Sequence, residues 1–244
     1  TDGTGDFTFS RGSNLAATRV GADGLIEKGR ENLLTYSNQF DTNWQAINAS
    51  VTSGQSGYDG SSDAWLLTST GGPLYQSISE SGVVTFSVYA KANSGAGFLL
   101  RVDQTTQTKL EFNISTGAFI SGSNYIDYNS TSIGNGWYRL SVVFLAASTS
   151  TAQFRITDGS GTNISGSAYI QDAQLEIGLA ATDYIESGAT TGKAGLLEDE
   201  PRFDYSGGAT CPSLLLEPSR TQLIPYTEYL SGLSLANSPT LTQN

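Results

Sequence analysis

Histidine and methionine are absent from the 244 residues, and cysteine occurs once, as Cys211. Without an imidazole there is no side chain of the kind that most often serves as general base, proton shuttle or metal ligand, so Ser–His and Cys–His nucleophile arrangements are excluded. One cysteine allows neither an intrachain disulfide nor a thiolate zinc site; beside Pro212, Cys211 reads as a small buried hydrophobe. Positive charge is scarce, with 12 Lys and Arg against 23 Asp and Glu. The resulting net charge of −11 repels phosphate backbones and excludes nucleic acid as a partner. No run of about 18 apolar residues occurs, and no basic segment leads into an apolar one, so neither membrane insertion nor a signal peptide is read. No cofactor motif is present.

What is present favours strands. Gly, Ser, Thr and Asn punctuate short runs of β-branched and aromatic residues at nearly even spacing, which is the pattern of a sandwich or barrel, so the fold class is all-β. Val83 to Lys91 is the clearest strand, with Val84, Phe86, Val88 and Ala90 on one face and Thr85, Ser87, Tyr89 and Lys91 on the other. From Trp137 to Ala146, the set Tyr138, Leu140, Val142 and Phe144 alternates with Trp137, Arg139, Ser141 and Val143. The Gly134-Asn135-Gly136 reversal before it supplies positive-φ positions. Further strands are read at 64–68, 74–78, 98–103, 109–113, 152–157 and 168–177. About eight strands suffice for two stacked sheets.

Self-similarity sets the expected organisation. Glu27 to Ser37 (EKGRENLLTYS) returns as Glu217 to Thr227 (EPSRTQLIPYT), 190 positions later. A spacing of that size is a string of whole domains. The division read from it is an N-terminal connector or collar at 1–30, a β-sandwich at 31–187, a second, similar connector at 188–220, and the start of a second sandwich at 221–244. The missing initiator methionine and the repeat interrupted at Asn244 lead to the expectation of a longer parent polypeptide.

Candidates for chemistry are few. Sugars are held by an aromatic ring stacked on the pyranose, with amides and carboxylates on its hydroxyls. Tyr58, Tyr125 and Tyr128 lie among Gly, Ser, Asn and Asp in expected loops, and Trp137 lies on the strand face opposite the core set. These four are the candidate glycan-binding residues, with solvated loop tyrosines and packing under a connector as the plainer readings. Trp44, after Phe40, reads as a lid on one end of the sandwich. A glycosidase would need two facing carboxylates. Asp103, Glu111, Asp172 and Glu176 fall on strands, however, and Asp172, Gln174 and Glu176 alternate with Ala173, Leu175 and Ile177 as a plain outward polar face. No catalytic residue is assigned, and the chain is read as non-enzymatic. Glu198-Asp199-Glu200 reads as a solvated run. The sequons at Asn48, Asn113, Asn129 and Asn163 carry weight only in a eukaryotic secretory protein.

Several segments in collinear order carry a resemblance. They are Asn32 to Phe40 with Trp44, Thr85 to Ala92, Gly134 to Arg139, Tyr169 to Glu176 and Ala181 to Ile185, with Ala17 to Val20, Gly24 to Glu27, Pro201 to Gly208 and Leu216 to Thr221 in the connectors. Together they resemble the carbohydrate-binding-module-like jelly-roll domains of bacteriophage virion proteins, such as tail fibres, head fibres and capsid decorations. The resemblance implies a jelly-roll β-sandwich in a structural unit on the phage particle surface. Its expected partners are further copies of itself, as a homotrimer, other virion proteins and host surface glycans. A lectin-like receptor-recognition domain and a carbohydrate-binding module of a secreted bacterial enzyme are the alternatives. Jelly rolls of this type often hold a structural calcium, for which Tyr58-Asp59-Gly60-Ser61-Ser62-Asp63 offers oxygen ligands, against the plainer reading of an Asp-Gly turn.

Overall fold

The computed structural model describes residues 19–20, 26–27, 30–147, 149–194, 203–204 and 213–214, and every regular element among them is a β-strand. In chain order these are β1 (Arg19–Val20), β2 (Ile26–Glu27), β3 (Arg30–Asn32), β4 (Gln45–Ala46), β5 (Ala49–Gln55), β6 (Ala64–Thr70), β7 (Leu74–Ile78), β8 (Gly82–Ala92) and β9 (Gly97–Asp103). They continue with β10 (Thr108–Asn113), β11 (Phe119–Ser123), β12 (Asp127–Gly134), β13 (Trp137–Ala146), β14 (Ser150–Thr157), β15 (Ser165–Ile177), β16 (Gly192–Ala194), β17 (Phe203–Asp204) and β18 (Ser213–Leu214). Residues 31–192 group as one compact unit, and residues 1–30 with 193–244 group as another. In the latter, β1 pairs with β2 and β17 with β18. The repeat from Glu217, the acidic run at Glu198 and Cys211 lie outside the described residues.

Residues 31–192 build a jelly-roll β-sandwich. One six-stranded sheet has the order β11-β10-β9-β14-β7-β4 and the other β12-β13-β8-β15-β6-β5, with the assigned strand pairs antiparallel. The alternation read in β8 and β13 is what closes the core: Val84, Phe86, Val88, Leu140, Val142 and Phe144 are all fully buried and face Phe98, Leu100, Leu110, Phe112 and Phe154 from the opposite sheet. At the centre Phe154 stacks on Trp44, Phe86 and Phe98, with ring centroids 5.4, 5.2 and 5.8 Å away. Trp44, 7% exposed, packs in the core against Phe40 and Phe154.

Two expectations are corrected. Tyr125 and Tyr128 were expected in loops, but Tyr128 is within β12, where it pairs with Val142. Both rings pack against Phe119 as the chain crosses from one sheet to the other. The second correction concerns β15. Gln171 lies opposite Tyr89 and Gln174 opposite Ser87, so three residues advance where the partner strand advances two. Asp172 sits in this β-bulge at φ 54. Beyond the bulge Gln174 and Glu176 do face outward, yet they are 0% and 4% exposed, because the following segment folds over them.

Candidate functional site

Cross-strand register arranges the outer face of the β12-β13-β8-β15 sheet in rows. Thr131, Arg139, Tyr89 and Gln171 share one row, Asn129, Ser141, Ser87 and Gln174 the next, and Asp127, Val143, Thr85 and Glu176 a third. Residues 178–188 form a strap over the β8–β15 half of these rows. Thr85 Oγ1 donates to Gly178 O at 2.9 Å. Glu176 accepts from Thr182 N at 2.8 Å and from Thr182 Oγ1 at 2.6 Å. Gln174 accepts from Ile185 N at 2.8 Å, and Arg139 Nη2 donates to Thr182 O. Replacing Gln174 by Ala should leave the Ile185 amide without its acceptor and lower the local opening free energy of the strap by about 1–3 kcal/mol. Amide exchange is the measurement: Ile185 should lose protection in the variant while Phe86 and Leu140 keep theirs.

On the β12–β13 side of the strap the rows stay open as a groove of about 450 Å³, lined among others by Tyr89, Asp127, Tyr128, Asn129, Thr131, Arg139 and Ser141, with Leu179 to Ala181 as one wall. Asp127, Asn129 and Thr131 are exposed and project from an edge strand. Tyr128 is 37% exposed at the groove margin, one face stacked on Phe119 at 4.5 Å. The groove thus presents a carboxylate, an amide, hydroxyls and a guanidinium, polar groups of the kind that recognise a polyhydroxylated ligand, while the Tyr128 side chain, opposite Val142, points to the other face of β12.

On the other side of Tyr89 lies a pocket of about 430 Å³, lined by Asn38, Tyr58, Asp59, Asp63, Tyr89, Asp172, Asp183, Tyr184 and Glu186. Tyr58 stacks on Tyr89 with centroids 3.8 Å apart and donates its hydroxyl to Asp172 Oδ2 at 2.9 Å. Burial pushes the Asp172 carboxyl up to about 7; the Tyr58 hydrogen bond opposes the rise, and the nearby Asp63, Asp59 and Glu186 add to it. Burial likewise raises the phenols of Tyr58 and Tyr184, whereas the Ser61 hydroxyl holds Asp59 low. Residues 57–61 make a turn in which Gly57 N donates to Ser61 O and Ser61 N to Asp59 Oδ1. Gln171 Nε2 ties this loop down through Asp63 Oδ1 at 2.8 Å. Asp59 Oδ1 and Asp63 Oδ1 of the segment read as a source of calcium ligands thus accept bonds within the protein, and among the described residues no group of three His, Cys, Asp or Glu is placed to hold a metal ion.

The four sequence candidates do not form one site. Tyr58 lines the acidic pocket and Tyr128 the groove. Tyr125 packs edge-on against Phe119 and Tyr128. Trp137, 1% exposed, lies beside the Tyr58–Tyr89 stack with no face for a sugar. The strand carboxylates are also engaged: Asp103 with Arg101 at 2.5 Å, and buried Glu111 with Thr157, Gly161 N and Ser121. Arg139, Asp127 and Tyr89 were not singled out from the sequence. Their shared face becomes visible only when β12 is recognised as a strand and its register on β13 is known.

No protein-family model matches the chain, and no curated protein does. Solved structures similar to it include the CBM22-1 xylan-binding domain from Paenibacillus barcinonensis Xyn10C, at 15% identity and a TM-score of 0.43 over 64% of this chain and 99% of that one. TmCBM61, solved in complex with beta-1,4-galactotriose, is similar at 12% identity and a TM-score of 0.37, over 59% of this chain and 97% of the other. The CBM22-1-GH10 modules of Clostridium thermocellum endo-1,4-beta-D-xylanase 10B, complexed with xylohexaose, give 12% and 0.37, over 64% of this chain and 29% of that one.

Proposed function

We propose that residues 31–192 form a glycan-binding domain whose oligosaccharide ligand lies in the groove along β12 and β13. The observation that carries this reading is the exposed β12 face of Asp127, Asn129 and Thr131, one residue in each of three successive rows, beside Arg139 and Ser141. These groups meet sugar hydroxyls, and they stand on rigid strands that lose little entropy on binding. The ligand is bound and not cleaved. Asp127 is the carboxylate lining the groove, and glycoside hydrolysis takes two; Asp172 belongs to the pocket across Tyr89. The virion role implied by the sequence resemblance is compatible with this domain as a host-contacting unit, but no contact within it favours that setting.

A glycan array followed by calorimetric titration tests the proposal. Asn129→Ala should weaken the best ligand about five- to tenfold, the loss of one hydrogen bond of about 1–1.4 kcal/mol. Its unfolding midpoint should not change, because the Asn129 side chain is exposed. An array without saturable binding, or an Asn129→Ala titration identical to the parent's, rejects the groove as a glycan site.

A further inference from the structure

Within the groove one residue is out of keeping with its surroundings. Arg139 is a half-buried cation in a protein with 23 acidic and 12 basic residues, yet among the described residues no carboxylate is paired with it. Its Nη2 donates to Thr182 O, while Nε is buried without any hydrogen-bond partner. Arg101, on the other sheet, shows the ordinary arrangement, with Nε 2.5 Å from Asp103 Oδ1. Nε is shut off from solvent, so a groove ligand can meet only the η nitrogens, and a half-buried guanidinium without an anionic partner is costly.

The guanidinium is also held in place. Its Cζ lies over the Tyr89 ring, 5.3 Å from the centroid, and Tyr58 stacks on that ring, so the two occupy opposite faces of Tyr89. With the strap carbonyl fixing Nη2, the planar fork is set before a ligand arrives. The groove's own carboxylate is at the far end: Thr131 pairs with Arg139 and Asp127 with Val143, four residues or about 13 Å along the strand. That backbone spacing exceeds the screening length of about 8 Å at physiological salt, which weakens both the hold of Asp127 on Arg139 and its repulsion of an anion placed beside it.

We infer that Arg139 selects an anionic oligosaccharide, one carrying a uronic-acid carboxylate that pairs with the guanidinium while the neutral sugars lie along Asn129 and Asp127. This rests on the glycan reading of the groove and adds the chemical class of its ligand. A planar carboxylate can accept from the two η nitrogens of the guanidinium together.

The test compares three ligands on the full chain: an oligogalacturonide, its carboxyl-reduced counterpart, and a sulfated neutral oligosaccharide of the same length. The acidic sugar should bind at least tenfold tighter than the reduced one. Arg139→Met should abolish that difference, and Arg139→Lys should retain part of it. Since Arg139→Met could disturb the strap, the comparison of acidic with reduced ligand on the unmodified chain stands independently of any variant. Equal affinity for the acidic and reduced sugars overturns the inference and leaves the groove reading intact. Tighter binding of the sulfated sugar overturns the carboxylate assignment. Failure of every glycan to bind overturns the groove reading and this inference with it.

Discussion

Phe154→Ala should destabilise the sandwich by about 3–5 kcal/mol, the range for removing a fully buried aromatic ring from a packed core. The position is sensitive because Phe154 makes ring contacts with Phe40, Trp44, Phe86 and Phe98 at once. These come from both sheets and from the 36–44 loop, so no single strand can shift to fill the space. A domain with a total stability of about 5–15 kcal/mol would lose a large part of it. Urea unfolding should show the midpoint falling by about 2 M at an unchanged slope, for a slope of about 2 kcal/mol per molar. Trp44 emission should shift to the red in the native baseline, because its stacking partner is gone. A midpoint within 0.5 M of the parent's, a bound of about 1 kcal/mol, would mean that this ring is not the centre of the core.

The second large effect is a stability that falls as pH rises. The Asp172 carboxyl, near 3.8 when unperturbed, is raised to about 7 in the folded protein. Between those values the folded state keeps a proton that the unfolded state has released, so each step upward in pH disfavours the fold. The loss begins near pH 4, is complete above about pH 7, and amounts to about 4 kcal/mol at most, at 1.36 kcal/mol per pH unit. Asp172→Asn is the clean comparison. The amide is neutral at every pH, its oxygen can still accept the Tyr58 hydroxyl, and Asn tolerates the left-handed φ of 54 at this bulge. The variant should match the parent near pH 4 and exceed it near pH 8. Parallel stability curves for the two proteins would show that Asp172 ionises freely in the fold.

Most of the sandwich was legible because eight strands carry their own period. Val83 to Lys91 and Trp137 to Ala146 alternate so regularly that their buried faces follow residue by residue. β12 was not legible, since Asp127 to Gly134 is an exposed edge strand with almost no apolar alternation, and the groove goes with it. β15 was half legible. Its apolar phase runs Ala168 and Ile170, then shifts by one to Ala173 and Leu175, and the bulge at Asp172 is what that slip encodes. Read as one uninterrupted alternation, the strand either buries Asp172 among Ala168 and Ile170 or misplaces its second half. Burial of Gln174 and Glu176 could not be read locally, because their partners arrive from the strap.

Asn32 near the start of the domain donates to Ala173 O and Ile185 O and accepts from Leu175 N, while Tyr36 N reaches Gly188 O and Ser37 meets Ser187. The two ends of residues 31–192 therefore leave the sandwich side by side, like the limbs of a hairpin. A tug on the flanking polypeptide would peel this clasp first, and because Ile185, Ser187 and Gly188 belong to the strap whose Thr182 O holds Arg139, the load would next reach the wall of the groove. For any sugar held in the proposed groove, the lifetime of attachment under shear would then be set by Asn32 and Ser37, whose bonds keep that wall seated.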